Sequence, residues 1–292
     1  MTRRRAAWVF AGPALAVIGV FFFLPVAAAL ALSFTDFDIY ALASLANLRF
    51  VAFRNYGELL QRAEFWNALG NTVYFVLAGV PLSIGASLGT ALLLDARAAR
   101  FKAFFRAALF APVVTTLVAA AVVWRYLFNT RYGWLNYVLG ALGLPAIDWL
   151  GDPHFSMPAI IVFAVWKNFG YNMVILLAGL QAIPEELYEA ARIDGASAWK
   201  RFLHVTLPML APMLSMVAIL TVAGYFQLFA EPYVMTQGGP LQSTVSVLYL
   251  MYEEGFKWWN LGSASAVAFV LFALMFAVTG AQISLMRRRG TR

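Results

Sequence analysis

The sequence predicts an all-α, polytopic membrane protein with six transmembrane helices. Hydrophobic residues make up 62% of the 292 residues and charged residues only 12%, whereas an average soluble domain has about 45–50% and about 25%. The apolar residues form long runs, each close to the roughly 20 residues that cross a bilayer core as a helix. The basic residues lie in short clusters between these runs. This pattern excludes a nucleic-acid-binding module, a disordered regulator and an ordinary soluble enzyme.

Six runs are long and apolar enough to span the lipid bilayer, and we assign them to one transmembrane domain over residues 1–292. The runs are residues 8–32, 72–94, 104–124, 157–180, 208–229 and 261–286. Three arginines precede the first run, so a cleaved signal peptide is the alternative there. We prefer a retained span because this run is longer than the about 7–15 apolar residues of a signal peptide.

The distribution of Lys and Arg predicts the orientation of the spans. With the N-terminus in the cytoplasm, most of the 21 basic residues fall in cytoplasmic segments, in the ranges 3–5, 97–106, 192–201 and 287–292. Cytoplasmic loops of membrane proteins are enriched in Lys and Arg. Both termini are therefore expected in the cytoplasm, which agrees with an even number of spans.

Residue types that support catalysis or metal binding are scarce. The chain has no Cys, and its only histidines, His154 and His204, are far apart in the sequence, so we expect no metal site. No GxxxxGK[ST] phosphate-binding pattern is present, so we expect no bound nucleotide or cofactor. An intramembrane enzyme is disfavoured because paired carboxylates are missing from the spans. An ion-driven secondary transporter remains an alternative, with little support.

The most informative segment, residues 184–208, lies between the fourth and fifth spans, and we call it the coupling segment. Pro184 suits the first turn of a helix, where its missing N–H is not needed. The two glutamates that follow suit the positive end of the helix dipole. Gly195 is a typical helix stop. Ser197 is expected to cap a second short helix that ends before Pro208.

The first helix of the coupling segment is predicted to have an acidic face. Glu185, Glu186 and Glu189 are three or four residues apart, a spacing that places side chains on one face of a helix. Ala190 and Ala191 lie largely on another side, where their small size would let a partner approach closely. A solvated loop helix without a partner is the alternative.

The spacing in this segment resembles the EAA motif of permease subunits of binding-protein-dependent ABC importers. Glu189-Ala190-Ala191 is followed after three residues by Gly195, and then by Val-Thr-Leu-Pro at 205–208. The segments 166–172 and 231–240 resemble the carbohydrate-uptake branch of that family, in particular its maltose/glycerol-3-phosphate-type first permease subunit.

The resemblance implies a type I ABC importer permease in the bacterial plasma (inner) membrane. It implies three kinds of partner: a second homologous permease subunit, two ATPase subunits that bind ATP and Mg²⁺, and an extracytoplasmic solute-binding protein. The chain itself would catalyse no reaction. The residues implied to contact the ATPase are Glu185, Glu186, Glu189, Ala190, Ala191, Asp194, Gly195, Leu207 and Pro208.

A polar stripe in the fourth span, formed by Lys167, Asn168, Tyr171 and Asn172, is the second candidate site. A charge near the bilayer centre costs about 2.5–3.5 kcal/mol, so Lys167 is expected to face the protein interior or water. The resemblance implies substrate contacts at Lys167, Asn168, Tyr171, Thr221, Tyr225 and Leu228. Aromatic rings with hydrogen-bonding groups suit a disaccharide or oligosaccharide; glycerol 3-phosphate or another polyol is the alternative. Helix–helix packing, or pairing of Lys167 with a partner's carboxylate, is the alternative role.

Overall fold

The structure, a computed structural model, describes residues 3–44, 47–96 and 100–290. Helices dominate these ranges, and one isolated bridge joins Thr35 and Phe50. The α-helices are α1 (Arg3–Ile18), α2 (Leu24–Leu32), α3 (Ile39–Ala43), α4 (Arg54–Gln61), α5 (Ala63–Asp95), α6 (Lys102–Val114), α7 (Leu117–Leu127), α8 (Trp134–Ala141), α9 (Pro153–Gln181), α10 (Glu185–Ile193), α11 (Ala198–Arg201), α12 (Leu207–Phe226), α13 (Ala230–Met235), α14 (Val247–Tyr252) and α15 (Leu261–Gly290). Three π-helical segments are Gly19–Phe23, Phe202–Thr206 and Glu253–Lys257.

Within the described ranges, five helices are long and apolar enough to cross a membrane. They are Phe10–Leu32, Ala63–Asp95, Pro153–Gln181, Ala198–Phe226 and Leu261–Met286, which match five of the six predicted spans. The helix α5 begins earlier than predicted, in a polar stretch that a search for apolar runs leaves out. There Asn67 and Asn71 donate hydrogen bonds to the carbonyl of Gln242 at 3.0 and 2.9 Å. Of the basic residues used for orientation, Arg97 and Arg292 lie outside the described residues.

The predicted third span, 104–124, consists of two helices, and by length and composition the pair counts together as a sixth candidate span with a break in it. The helices α6 and α7 meet at an angle of 100°. Pro112 has no N–H for the helical ladder, and its ring clashes with the preceding turn. Thr115 and Thr116 follow in extended conformation, with ψ of 151° and 136°. The Thr115 hydroxyl donates to the Pro112 carbonyl at 2.6 Å, which satisfies one acceptor that the end of α6 leaves unpaired.

The predicted fifth span, 208–229, also needs correction at both ends. Ser197 caps α11, accepting from the Lys200 N–H at 3.4 Å, but this helix does not end before Pro208. The π-helical segment Phe202–Thr206 joins α11 to α12, because the Leu207 N–H donates to the Phe202 carbonyl, five residues earlier. This wider turn accommodates Pro208, which has no N–H to donate and whose ring would otherwise clash with the carbonyl four residues earlier. At its other end α12 stops at Phe226.

The chain divides into two compact units, and the first comprises the residues up to Trp66 and Leu250–Leu274. Polar contacts fix the loops within that unit. The Asn55 amide donates to the carbonyls of Ser33 and Thr35, both at 2.8 Å. Arg62 and Glu254 form an ion pair at 2.5 Å.

The second unit, Asn67–Tyr249 and the residues from Met275 onward, contains both candidate sites. Its core joins α5, α9 and α12, and α9 supplies the largest share of buried residues in it. The core residues are Ala91, Leu94, Met173, Leu176, Leu177, Leu180, Leu210 and Val217. Asp152 begins α9 by accepting from the His154 N–H at 2.8 Å. This backbone bond and the His154 imidazole hold the pKa of Asp152 below its usual value.

The crossing of α6 over α9 requires a glycine at position 170. A Cβ there would clash with the Leu109 carbonyl oxygen and lie 3.2 Å from Cα of Phe110. We expect Gly170→Ala to destabilise the chain by about 1–3 kcal/mol through overpacking, measured as a lower melting temperature in detergent. The control is Gly85→Ala in α5, where a Cβ meets nothing within 4 Å. Equal melting temperatures for the two variants would contradict this packing.

Candidate functional site

A cavity of about 280 Å³ opens within the second unit, among α5, α9 and α12. Its walls combine aromatic rings, amides, hydroxyls and one carboxylate. The lining residues are Phe75, Val113, Ala164, Asn168, Tyr171, Asn172, Leu220, Thr221, Gly224, Tyr225, Leu228 and Glu231. The structure therefore brings together five of the six residues predicted for the substrate path, namely Asn168, Tyr171, Thr221, Tyr225 and Leu228.

Lys167, the sixth predicted residue, is not part of this lining. Its side chain is buried, with 7% exposure, and its ammonium donates to the Val113 carbonyl at 3.1 Å. Val113 lies at the C-terminal end of α6, where free carbonyls and the helix dipole favour a cation. The charge thus meets a helix end exposed by the break between α6 and α7. Its hydrogen-bond partner lies on another helix of the same chain, as the helix–helix packing alternative expects.

Two predicted polar residues are engaged in helix contacts as well as lining the cavity. The Asn172 amide donates to the Thr221 hydroxyl at 2.9 Å and links α9 to α12. The Asn168 amide donates to the Ala164 carbonyl of its own helix at 2.9 Å. Tyr171 is half-exposed at 50%, so its ring remains available to a ligand. The polar stripe therefore serves both packing and the cavity wall.

Sequence reasoning missed the contribution of α5 to this cavity. The Phe75 ring stacks on Tyr225, with centroids 4.9 Å apart and planes 27° apart. Gly79 leaves room for the same ring, because a Cβ there would lie 2.5 Å from Tyr225 Cε1. Their spacing of four places Phe75 and Gly79 on one face of α5, a signal that was present in the sequence. Together they hold the Tyr225 ring, which is 5% exposed.

Two other cavity residues lie beyond the end of α12. Leu228 was predicted inside the fifth span, but it belongs to the break between α12 and α13. Its carbonyl accepts a hydrogen bond from the buried Ser246 hydroxyl, which satisfies a backbone group that would otherwise be buried unpaired. Glu231, in the first turn of α13, was not among the residues predicted for the substrate path. It supplies the one carboxylate of the lining.

The coupling segment forms the predicted helix, now α10. Pro184 precedes it, and Gly195 follows it with a φ of +73°, a left-handed conformation that favours glycine. Arg192 donates to Glu185 at 2.8 Å and lies 3.8 Å from Glu189. The acidic face is therefore present as predicted, and its charge is partly balanced by one arginine.

Most of α10 is exposed. Glu186, Glu189 and Ala190 are exposed, and so are the apolar side chains of Leu187 and Ile193, at 39% and 86%. Exposed apolar side chains next to a charged face are typical of a protein interaction site.

Tyr188, which sequence reasoning overlooked, joins α10 to the start of α12. The Tyr188 hydroxyl and the Thr206 hydroxyl share a hydrogen bond at 3.0 Å. Thr206 is buried, at the end of the π-helical segment that leads into Leu207 and Pro208. The nine predicted contact residues thus fall into two places: seven on α10 and its C-terminal turn, and two at the start of α12.

The described residues contain no group of three or more His, Asp or Glu placed to hold a metal ion. The chemistry that the arrangement offers is recognition of a ligand in the cavity and of a protein at α10.

Residues 96–290 match the family model described as binding-protein-dependent transport system inner membrane component. Among curated relatives, the lactose transport system permease protein LacF of Rhizobium radiobacter is 36% identical over 275 residues, which cover 93% of this chain and 90% of the relative. The sn-glycerol-3-phosphate transport system permease protein UgpA of Agrobacterium fabrum is 33% identical over 283 residues, covering 97% and 94%.

Among solved structures, the fold is similar to a chain of a bacterial ABC transporter involved in the import of the acidic polysaccharide alginate. The TM-score is 0.82 at 19% identity, with 98% of this chain and 96% of that chain covered. The family match covers more than half of the chain, and both relatives cover nearly all of it. The chain therefore belongs to the binding-protein-dependent transport system inner membrane component family.

Proposed function

We propose that this chain is the permease subunit through which an ABC importer moves a neutral sugar into the cytoplasm. The cavity supports this substrate class. Tyr171 offers an exposed ring, which suits the apolar face of a sugar ring, and the largely buried Tyr225 also lines the cavity. Asn168 and Thr221 offer hydrogen-bonding groups for its hydroxyls. A ligand site typically combines such an apolar wall with a few polar groups that fix orientation.

An anionic substrate is the second candidate, because one relative is named for sn-glycerol-3-phosphate and one similar structure for an acidic polysaccharide. The charge of the lining disfavours it. Within the described part of the chain, the lining includes Glu231 and neither Lys nor Arg, and Lys167 is directed to the Val113 carbonyl. A phosphate or carboxylate taken out of water requires a paired cation or several donors.

The proposed partners are those of a binding-protein-dependent importer. A second permease subunit would complete the translocation path, a solute-binding protein would deliver sugar outside, and two ATPase subunits would bind ATP and Mg²⁺ inside. The chain would perform no catalysis itself, and both its termini would lie in the cytoplasm of a bacterial cell. The exposed face of α10, with Glu186, Glu189 and Ala190, supports docking of an ATPase.

The proposed transport step is a rigid-body change between two packings of the bundle. Movement of the docked ATPases would displace α10 and the start of α12. Because α12 also carries Thr221 and Tyr225, its displacement would change the cavity. Weak binding there suffices, since tight binding would slow release.

Competition during uptake tests the substrate class. Cells expressing the complete importer, with and without this chain, would be given radiolabelled lactose, maltose or glycerol 3-phosphate, with the unlabelled compounds as competitors. We expect chain-dependent sugar uptake that an excess of glycerol 3-phosphate does not inhibit. Chain-dependent uptake of glycerol 3-phosphate alone would establish the second candidate instead. Uptake that persists after removal of the ATPase subunits would point to an ion-driven transporter.

A further inference from the structure

The hydrogen bond between Tyr188 and Thr206 joins two elements that the proposed function requires to move together. Tyr188 lies on α10, the helix proposed to contact the ATPase. Thr206 lies at the base of α12, the helix that lines the cavity with Thr221 and Tyr225. The two hydroxyl groups are 3.0 Å apart, within the range of an ordinary hydrogen bond.

Most side chains of α10 are exposed. Only Tyr188 and Ala191 in this helix are not exposed. A cleft of about 830 Å³ lies beside it, and both Tyr188 and Thr206 line that cleft. The ion pair of Arg192 with Glu185 lies within α10 and so does not fasten the helix to α12.

The covalent path from α10 to α12 departs from regular α-helix at two places. At the C-terminal end of α10 the chain passes through Gly195, which has a left-handed φ of +73°. After that the chain continues through α11 and a π-helical segment, where Leu207 donates to Phe202 and Pro208 cannot donate. The hydrogen bond between Tyr188 and Thr206 links α10 to the base of α12 across this path, in addition to the chain itself.

We propose that Tyr188 is a positioning residue that ties α10 to α12 through Thr206, so that displacement of α10 is transmitted to the cavity. This inference rests on the proposed docking of an ATPase at α10. The hydroxyl group is the essential part of the side chain, because the ring alone would contact the cleft without bonding to Thr206. Thr206 is 5% exposed, so the bond is shielded from competing water on that side.

Hydrogen–deuterium exchange of the complete importer tests this role without requiring a known substrate. Exchange would be measured by mass spectrometry with and without ATP and vanadate, at α10 and at residues 220–228 of the cavity wall. In the unmodified complex we expect nucleotide to change exchange at both places. In Tyr188→Phe we expect the change at α10 to remain and the change at 220–228 to fall about fivefold, the effect of one hydrogen bond of ordinary strength on a two-state equilibrium.

Three further variants make the test specific. Thr206→Val keeps the shape of the side chain and should give the same loss as Tyr188→Phe. The double variant should lose no more than either single variant, because both remove one bond. Tyr137→Phe, on the exposed surface of α8, makes the same chemical change elsewhere and should resemble the unmodified complex.

The outcomes separate this inference from the proposed function. Absence of ATPase subunits from the purified unmodified complex would overturn both. With the ATPase present, a nucleotide response at 220–228 that Tyr188→Phe leaves intact would overturn the positioning role alone. No response at 220–228 in the unmodified complex would also overturn it, since nothing would then reach the cavity from α10. Additive losses in the double variant would show that the two hydroxyls act separately.

Discussion

Glu189→Lys is expected to abolish recovery of the ATPase subunits with this chain and to abolish uptake. The Glu189 side chain is 62% exposed and lies on the proposed docking face of α10. Reversing its charge would place like charges across an interface arranged for an acidic group, which costs several kcal/mol. The change would also leave Arg192 next to a second cation. Affinity purification of the complex and an uptake assay in whole cells measure the two effects.

Two companion variants define what the Glu189→Lys result means. Glu189→Gln keeps the shape but removes the charge, so a smaller loss of ATPase is expected. Glu64→Lys makes the same charge reversal at an exposed position in the first turn of α5, and recovery should stay normal. Membrane insertion, followed by the amount of chain in the membrane fraction, should be unchanged in all three. Normal uptake by Glu189→Lys would exclude docking through this residue.

Tyr171→Ala and Tyr225→Ala are expected to give the largest loss of sugar transport among the cavity variants. Each removes a ring that lines the cavity, and the loss of the apolar contact of such a ring costs about 1.5 kcal/mol. We therefore expect the uptake rate at low sugar concentration to fall about tenfold for each variant, the change that corresponds to about 1.4 kcal/mol. Because Tyr225 also packs on Phe75, its variant should lose some thermal stability as well.

The two tyrosine variants need controls for packing. Tyr225→Phe keeps the ring and its stack on Phe75, so it should retain thermal stability. Its uptake rate then shows the contribution of the hydroxyl apart from that of the ring. Tyr74→Ala, on an exposed face of α5 outside the cavity lining, should transport normally. If Tyr171→Ala and Tyr225→Ala both keep the rate and the selectivity of the unmodified importer, the cavity is not the sugar path.

The candidate sites were predictable from the sequence to different degrees. The helix α10 could be predicted from local signals, because Pro184 and Gly195 mark its two ends through their own backbone preferences. The cavity was predicted in part, because the polar stripe on α9 is a periodic pattern within one helix. Phe75 and Gly79 were missed because their role depends on the Tyr225 ring, far away in the sequence. Tyr188 was missed for the same reason, as its partner Thr206 lies in another helix.

Proline positions show why helix ends were harder to predict than helix existence. Pro112 and Pro208 both follow several helical residues. The chain breaks between α6 and α7 soon after Pro112, whereas the helix continues through Pro208. The difference lies in the neighbouring backbone. Extended residues follow Pro112, whereas a π-helical segment precedes Pro208. Whether a helix breaks or continues at a proline depends on the space between the surrounding helices, and helix propensity alone does not determine it.

By itself, the sequence determined the class of protein, the number and approximate place of the apolar spans, and the acidic helix between the fourth and fifth of them. These features depend on apolar length, charge distribution and helix-end residues, all of which act over a few turns of chain. Only the tertiary structure decided that α6 and α7 are bent apart, that Lys167 meets the Val113 carbonyl, and that Tyr188 is bonded to Thr206. Each of these depends on which helix faces which, a choice made by packing between residues distant in the chain.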